Sequence, residues 1–163
     1  MTAAARLVRA ACAAALLALP VLAAAQTTRP RAKVEPVVAA TAIAPGAAVD
    51  VLLKVRLPRD VHVQAHEPRD PLLIPTVLSV DPTDGVTVTG ITYPVPTDLT
   101  QAGRAEALAV LGPEFEIAVT LSLAASVAGD LSVPAVLRYQ ACNDRVCFPP
   151  ARATATWRLH VQP

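Results

Sequence analysis

Two cysteines, Cys142 and Cys147, lie in the stretch RYQACNDRVCFPP at residues 138–150, with four residues between them and two prolines directly after Phe148. Thiols at this spacing admit three chemistries: a structural staple, part of a metal site, or a disulfide that opens and closes by exchange. The turn-prone pair Asn143-Asp144 can reverse the chain tightly enough for the Cα separation of roughly 4.4–6.8 Å that a disulfide needs. Closing a loop of about six residues stabilises a fold by about 2 kcal/mol, the low end for disulfides, because a short loop has little entropy to lose. The placement is therefore a weak choice for a staple and suits a bond that can open without unfolding its domain. Arg145, between the two sulfurs in sequence, favours thiolate, the attacking species in exchange, and Asp144 opposes it.

Metal binding is the weakest of the three. Zinc sites generally want four ligands, often as paired short spacings, and no metal or other cofactor is expected here. The histidines are His62, His66 and His160. As strand residues, His62 and His66 would stand about 13 Å apart at about 3.3 Å per residue, too far to chelate together. Other catalytic signatures are missing: there is no G-x-S-x-G, no H-E-x-x-H, no phosphate-cradling glycine loop and no C-x-x-C.

The elements that must position the thiols read as strands. Val49, Val51, Leu53, Val55 and Leu57 alternate with Asp50, Lys54 and Arg56. Phe115, Ile117, Val119, Leu121 and Leu123 alternate with Glu114, Glu116, Thr120 and Ser122, and Ala153, Ala155, Trp157, Leu159 and Val161 with Thr154, Thr156, Arg158 and His160. Successive strand side chains point to opposite faces, so each run predicts a half-buried strand. Weaker strands are predicted at 34–42, 61–65, 76–80, 86–93 and 135–142. Pro45-Gly46, the DPTDG run at 81–85 and Gly129-Asp130 supply turns. The 16 prolines argue against long helices. Seven or eight antiparallel strands, each with one apolar face, predict an all-β, immunoglobulin-like antiparallel β-sandwich. An antibody-type domain is excluded, because the cysteine pair is local and does not join two sheets. The stretch QAGRAEALAVLGPE at 101–114 fits no period and reads either as a surface loop with a short helical turn or as a flap over a site.

Residues 1–25 read as a secretory signal peptide: Arg6 and Arg9, then an Ala/Leu-rich run ending in Ala23-Ala24-Ala25 ahead of Gln26. An uncleaved anchor is the alternative, for which the run is short. Cleavage removes Cys12 and leaves an even number of cysteines in an oxidising compartment, where a Cys142–Cys147 disulfide is the default. It also leaves 12 Lys+Arg against 13 Asp+Glu, a formal charge of −1. No basic run stands out, so nucleic acid and anionic membrane are poor partners, and no membrane insertion is expected after cleavage. Residues 26–33 are expected to be a disordered lead-in, and 34–163 one domain with no second domain after it.

At YQACNDRVCFPP the sequence resembles the N-terminal periplasmic domain of the thiol:disulfide interchange protein DsbD. LPRDVHVQAHEPRDPLLIPTVLSV, GITYPVP and LGPEFEIAVTL follow the family pattern in order, so the resemblance covers roughly residues 34 to 161. It implies an immunoglobulin-like sandwich whose cysteine pair, Cys142 and Cys147, passes electrons by thiol–disulfide exchange in the periplasm. Cys147 would form mixed disulfides with exported disulfide proteins, and Cys142 would resolve them. The electron donor would be a membrane-linked thioredoxin-like domain, here expected on a separate protein. The family's cap loop maps to 104–112, with Leu108 and Val110 nearest the places of its acidic and aromatic residues. His62 and Gln64 stand nearest the places of two strand tyrosines, and Phe148 is the aromatic after the second cysteine. The competing reading is a non-enzymatic binding module in which the disulfide only pins a hairpin.

Overall fold

The computed structural model describes residues 29–163; residues 1–25, expected to be a signal peptide, lie outside them. All regular structure among the described residues is β: β1 Lys33–Val38, β2 Ala48–Arg56, β3 His62–Gln64, β4 Val77–Val80, β5 Val86–Thr92, β6 Thr97–Leu99, β7 Leu108–Leu111, β8 Glu114–Leu123, β9 Gly129–Tyr139, β10 Ala141–Cys142 and β11 Ala151–Val161. The strands form three antiparallel sheets, ordered β1-β2-β8-β5, β11-β9-β4 and β10-β3-β7-β6. The architecture is the immunoglobulin-like antiparallel sandwich the alternation predicts, with a third sheet, β10-β3-β7-β6, of short strands.

The alternating faces do as expected. Val49, Val51, Leu53 and Val55 of β2 and Ile117, Val119, Leu121 and Leu123 of β8 are buried, and they share one core with Val133, Ala135, Leu137 and Tyr139 of β9 and Trp157, Leu159 and Val161 of β11. Full burial of such a side chain stabilises by about 1.5–3 kcal/mol, so two facing apolar stripes suffice to hold the layers together. Trp157 adds a polar tie: its indole Nε1–H donates to the Leu52 carbonyl at 2.8 Å.

Three expectations need correction. The lead-in is ordered at its end: the Ala32 N–H donates to the Tyr139 hydroxyl at 2.7 Å, and Lys33 already pairs with Arg56. The strand expected at 135–142 is β9, which starts at Gly129 and ends at Tyr139, although Pro134 lies inside it. Pro134 lacks an N–H to give, but its carbonyl still accepts from Asp81 N–H at 2.9 Å, so β9 runs through. Finally, the segment 101–114 holds no helical turn. Its Leu-Ala-Val-Leu run is β7, paired with β3 on one side and β6 on the other, and all four residues are buried. A strand covered on both faces has no alternation to betray it.

Candidate functional site: the cysteine hairpin

β9 and β11 pair along their whole length, ending at Tyr139 opposite Ala151. Between those two residues the chain leaves their sheet. Ala141 and Cys142 pair instead with Val63 and His62 of β3, so the cysteine hairpin is the tip of the β9–β11 hairpin, bent over onto the neighbouring sheet. The bend is held where Gln140 Nε2 donates to the Phe148 carbonyl at 3.0 Å, and Pro149-Pro150 stop further ladder pairing.

At the tip, Cys142 and Cys147 are disulfide-bonded and directly paired, with Cα atoms 4.0 Å apart. The flanking backbone bonds run from Asn143 N–H to the Val146 carbonyl at 3.0 Å and from Phe148 N–H to the Ala141 carbonyl at 2.8 Å. The cysteines thus occupy a non-hydrogen-bonded antiparallel pair, the position where opposed side chains come closest; this is why the separation falls below the expected window. The turn itself is closed by a side chain. Asn143 Oδ1 accepts from both Arg145 N–H and Val146 N–H at 2.9 Å, the Asx-type turn that makes asparagine favourable there.

The two cysteines differ in exposure. Cys142 is 1% exposed, whereas Cys147 is exposed, together with Asp144, Arg145 and Val146. Burial follows from position: Cys142 is an inner residue of the sheet, between Cys147 and β3, while Cys147 is on the outgoing arm with no strand beyond it. One disulfide thus joins a buried residue to an exposed one.

Register decides what surrounds Cys142. His62 stands opposite it on β3, Gln64 lies two residues further along the same strand, Val110 of β7 is opposite Gln64, and Leu108 lies two residues from Val110. Strand alternation places all of them on the face that carries Cys142. Of the sequence-predicted residues, the register sets only His62 directly opposite Cys142; Gln64, Val110 and Leu108 share its face at increasing distance along β3 and β7, and Leu108 and Val110 are sheet residues that form no flap. Irregular chain remains only at 100–107, ahead of β7. There Arg69 Nη1 donates to the Ala107 carbonyl at 2.7 Å and pairs with Asp98, and Arg104 pairs with Asp70 at 3.4 Å. Phe148 is not brought to the sulfurs. It is paired with Ala141, one step out of phase with the cysteines, and packs on the core.

Two buried polar groups share the face that carries Cys142. His62 is 9% exposed, and its pKa lies below the ordinary value because burial disfavours the imidazolium; the carboxylate of Asp144 acts in the opposite sense. Gln64 is 1% exposed, and neither polar atom of its carboxamide has a hydrogen-bond partner among the described residues. Its backbone is fixed by Thr76, whose hydroxyl donates to the Gln64 carbonyl at 2.6 Å. The other histidines lie elsewhere: His66 stacks on Tyr93 at 3.8 Å, and His160 pairs with Asp130 at 2.7 Å. The turn-closing role of Asn143 and the influence of Asp144 on His62 were not read from the sequence. Asn-Asp signals a turn, but not which backbone groups a side chain will bind.

Fold and site define a class: an immunoglobulin-like domain with one local disulfide, half buried and half exposed, at a hairpin tip. Residues 31–158 match the family described as thiol:disulfide interchange protein DsbD, N-terminal, and the chain belongs to that family, as the cysteine motif implies. Two solved structures are similar in part. One is the DsbD N-terminal domain of Neisseria meningitidis in the reduced form, at 17% identity over 78% of this chain and 85% of that one, with a TM-score of 0.49. The other is the N-terminal periplasmic domain of ScsB from Proteus mirabilis, at 16% identity over 78% of this chain and 44% of that one, with a TM-score of 0.46. No curated protein matches this chain significantly.

Proposed function

We propose that the domain passes electrons in the periplasm from a membrane-linked thioredoxin-like donor to exported disulfide proteins, and that the Cys142/Cys147 pair carries them. The unequal exposure of the two cysteines carries this reading. Cys147, exposed and flanked by the exposed apolar side chain of Val146, is the sulfur that partners attack and that attacks them. Cys142, buried behind it, resolves the mixed disulfide without itself meeting a partner. Opening the bond leaves the core in place, because the linked residues are only five apart in sequence.

The chemistry is two exchanges. Cys147 thiolate attacks one sulfur of a target disulfide and expels the other as thiolate. Cys142 thiolate then attacks Cys147 Sγ, which re-forms the intramolecular disulfide and releases the target reduced. The donor runs the same steps in reverse. Export through a signal peptide at residues 1–25 accounts for the oxidising setting. Among the described residues no helix is long and apolar enough to cross a membrane.

The deciding experiment traps partners. A Cys142→Ser variant should accumulate disulfide-linked adducts at Cys147 in the periplasm, and Cys147→Ser should not. The native disulfide should have a reduction potential above about −300 mV, the level below which structural bonds resist reduction. A lower potential together with no adducts would leave a domain with an inert hairpin staple.

A further inference from the structure

Cys142 presents a chemical difficulty that Cys147 does not. The resolving step needs Cys142 as thiolate, yet its side chain is 1% exposed. Burial in apolar surroundings raises a thiol pKa and makes it inert. Something beside it must take the proton. The register supplies one titratable side chain on that face of β3, His62, directly opposite Cys142. Side chains so opposed have Cβ atoms about 4.5–5.5 Å apart, a separation that an imidazole spans.

We infer that His62 is the base of the resolving step: a ring nitrogen takes the Sγ proton of Cys142 as that sulfur attacks Cys147 Sγ in the mixed disulfide. The inference rests on the exchange reading above. One S–S bond forms between Cys142 and Cys147, the bond from Cys147 to the target breaks, and its electron pair leaves on the target sulfur. The proton passes to His62 and from there to water or to the departing thiolate. No further oxidant or reductant enters.

Three observations support the assignment. First, Cys147, Cys142 and His62 stand in one cross-strand row, so the base is on the far side of the thiol from the sulfur it attacks. Second, burial keeps His62 neutral at rest and free to accept, while Asp144 stabilises the imidazolium that forms. Third, Gln64, two residues along β3 on the same face as His62, is buried with no hydrogen-bond partner for its carboxamide among the described residues, so this face holds unused hydrogen-bonding capacity. The charged and titratable groups around His62 are few. The hairpin brings Cys142, Cys147, Asp144 and Arg145; β7 brings none; Arg59 and Asp60 lie just ahead of His62 on its own chain segment.

The test uses the reduced mature protein, from Gln26 onward and so without Cys12, and 5,5′-dithiobis(2-nitrobenzoate), which releases one coloured thiolate when Cys147 attacks and a second when Cys142 resolves. In the native protein the second phase should rise with pH through an inflection below 6.5, the ordinary histidine value. In His62→Gln the first phase should be unchanged, and the second should slow by about 10²-fold and lose that inflection. An unchanged second phase with its pH profile intact overturns the role of His62. Absence of both phases in the native protein overturns the exchange reading instead. Should His62→Gln not fold, the NMR titration of His62 decides in the native protein. A titration that changes between the disulfide and dithiol forms supports the pair, and coincident curves overturn it.

Discussion

Cys142 stands between two partners in one antiparallel row: Cys147, bonded to it on the outer side, and His62, paired opposite it on the inner side. Because the row runs from solvent inward, the two sulfurs of one disulfide differ in access and in chemistry.

That difference should be visible in alkylation. In the reduced protein, iodoacetamide should modify Cys147 at least about tenfold faster than Cys142, since a reactive thiol needs access and thiolate character. Peptide mass spectrometry after a timed quench measures both rates. Equal rates would remove the asymmetry on which the division of roles depends.

Asn143 should set how readily the bond opens. Its Oδ1 holds two backbone N–H groups of the turn and so keeps the thiols opposed even when reduced. Asn143→Ala gives up about 1 kcal/mol, the usual cost of losing such a side-chain cap. Spread over a two-electron couple, this makes the reduction potential about 20 mV less negative. Equilibration against a glutathione buffer gives the value, and a shift toward more negative potential contradicts the account.

Removing the disulfide should leave the sandwich standing. Cys142→Ser with Cys147→Ser should lower unfolding stability by only about 2 kcal/mol, the loop-closure entropy of about six residues. Exchange activity should vanish. Urea unfolding followed by circular dichroism checks the first part; a collapsed fold would make the bond a true staple.

His62 should also make the native state acid-sensitive. Its folded pKa is depressed by burial, so the unfolded chain binds the extra proton more readily. The stability held by the neutral imidazole is present above the unfolded value of about 6.5 and is lost as pH falls from there through the folded pKa. The melting temperature of the native protein should therefore drop further between pH 7.5 and pH 5 than that of His62→Gln. Parallel pH curves for the two proteins would refute it.

How legible the fold was depended on how each strand is buried. β2, β8 and β11 show one face to the core and one to solvent, so their alternation in sequence is their alternation in space. β7 is covered on both faces, and its four apolar residues carry no period, so the sequence suggested a loop or flap. Pro134 hid the first half of β9 for a different reason. Proline normally marks the end of a ladder, and only the pairing of β9 between β11 and β4 shows that this one does not.

The sequence by itself determined the all-β class, the single thiol pair and, through the motif around it, the family. These depend on period and local spacing, which a linear chain records in full. Only the tertiary structure decided that Cys147 faces out and Cys142 faces in, that Phe148 turns to the core, and that a histidine from a distant strand stands behind the buried sulfur. Those facts follow from register between segments far apart in the chain, and a shift of one residue would reverse every one of them.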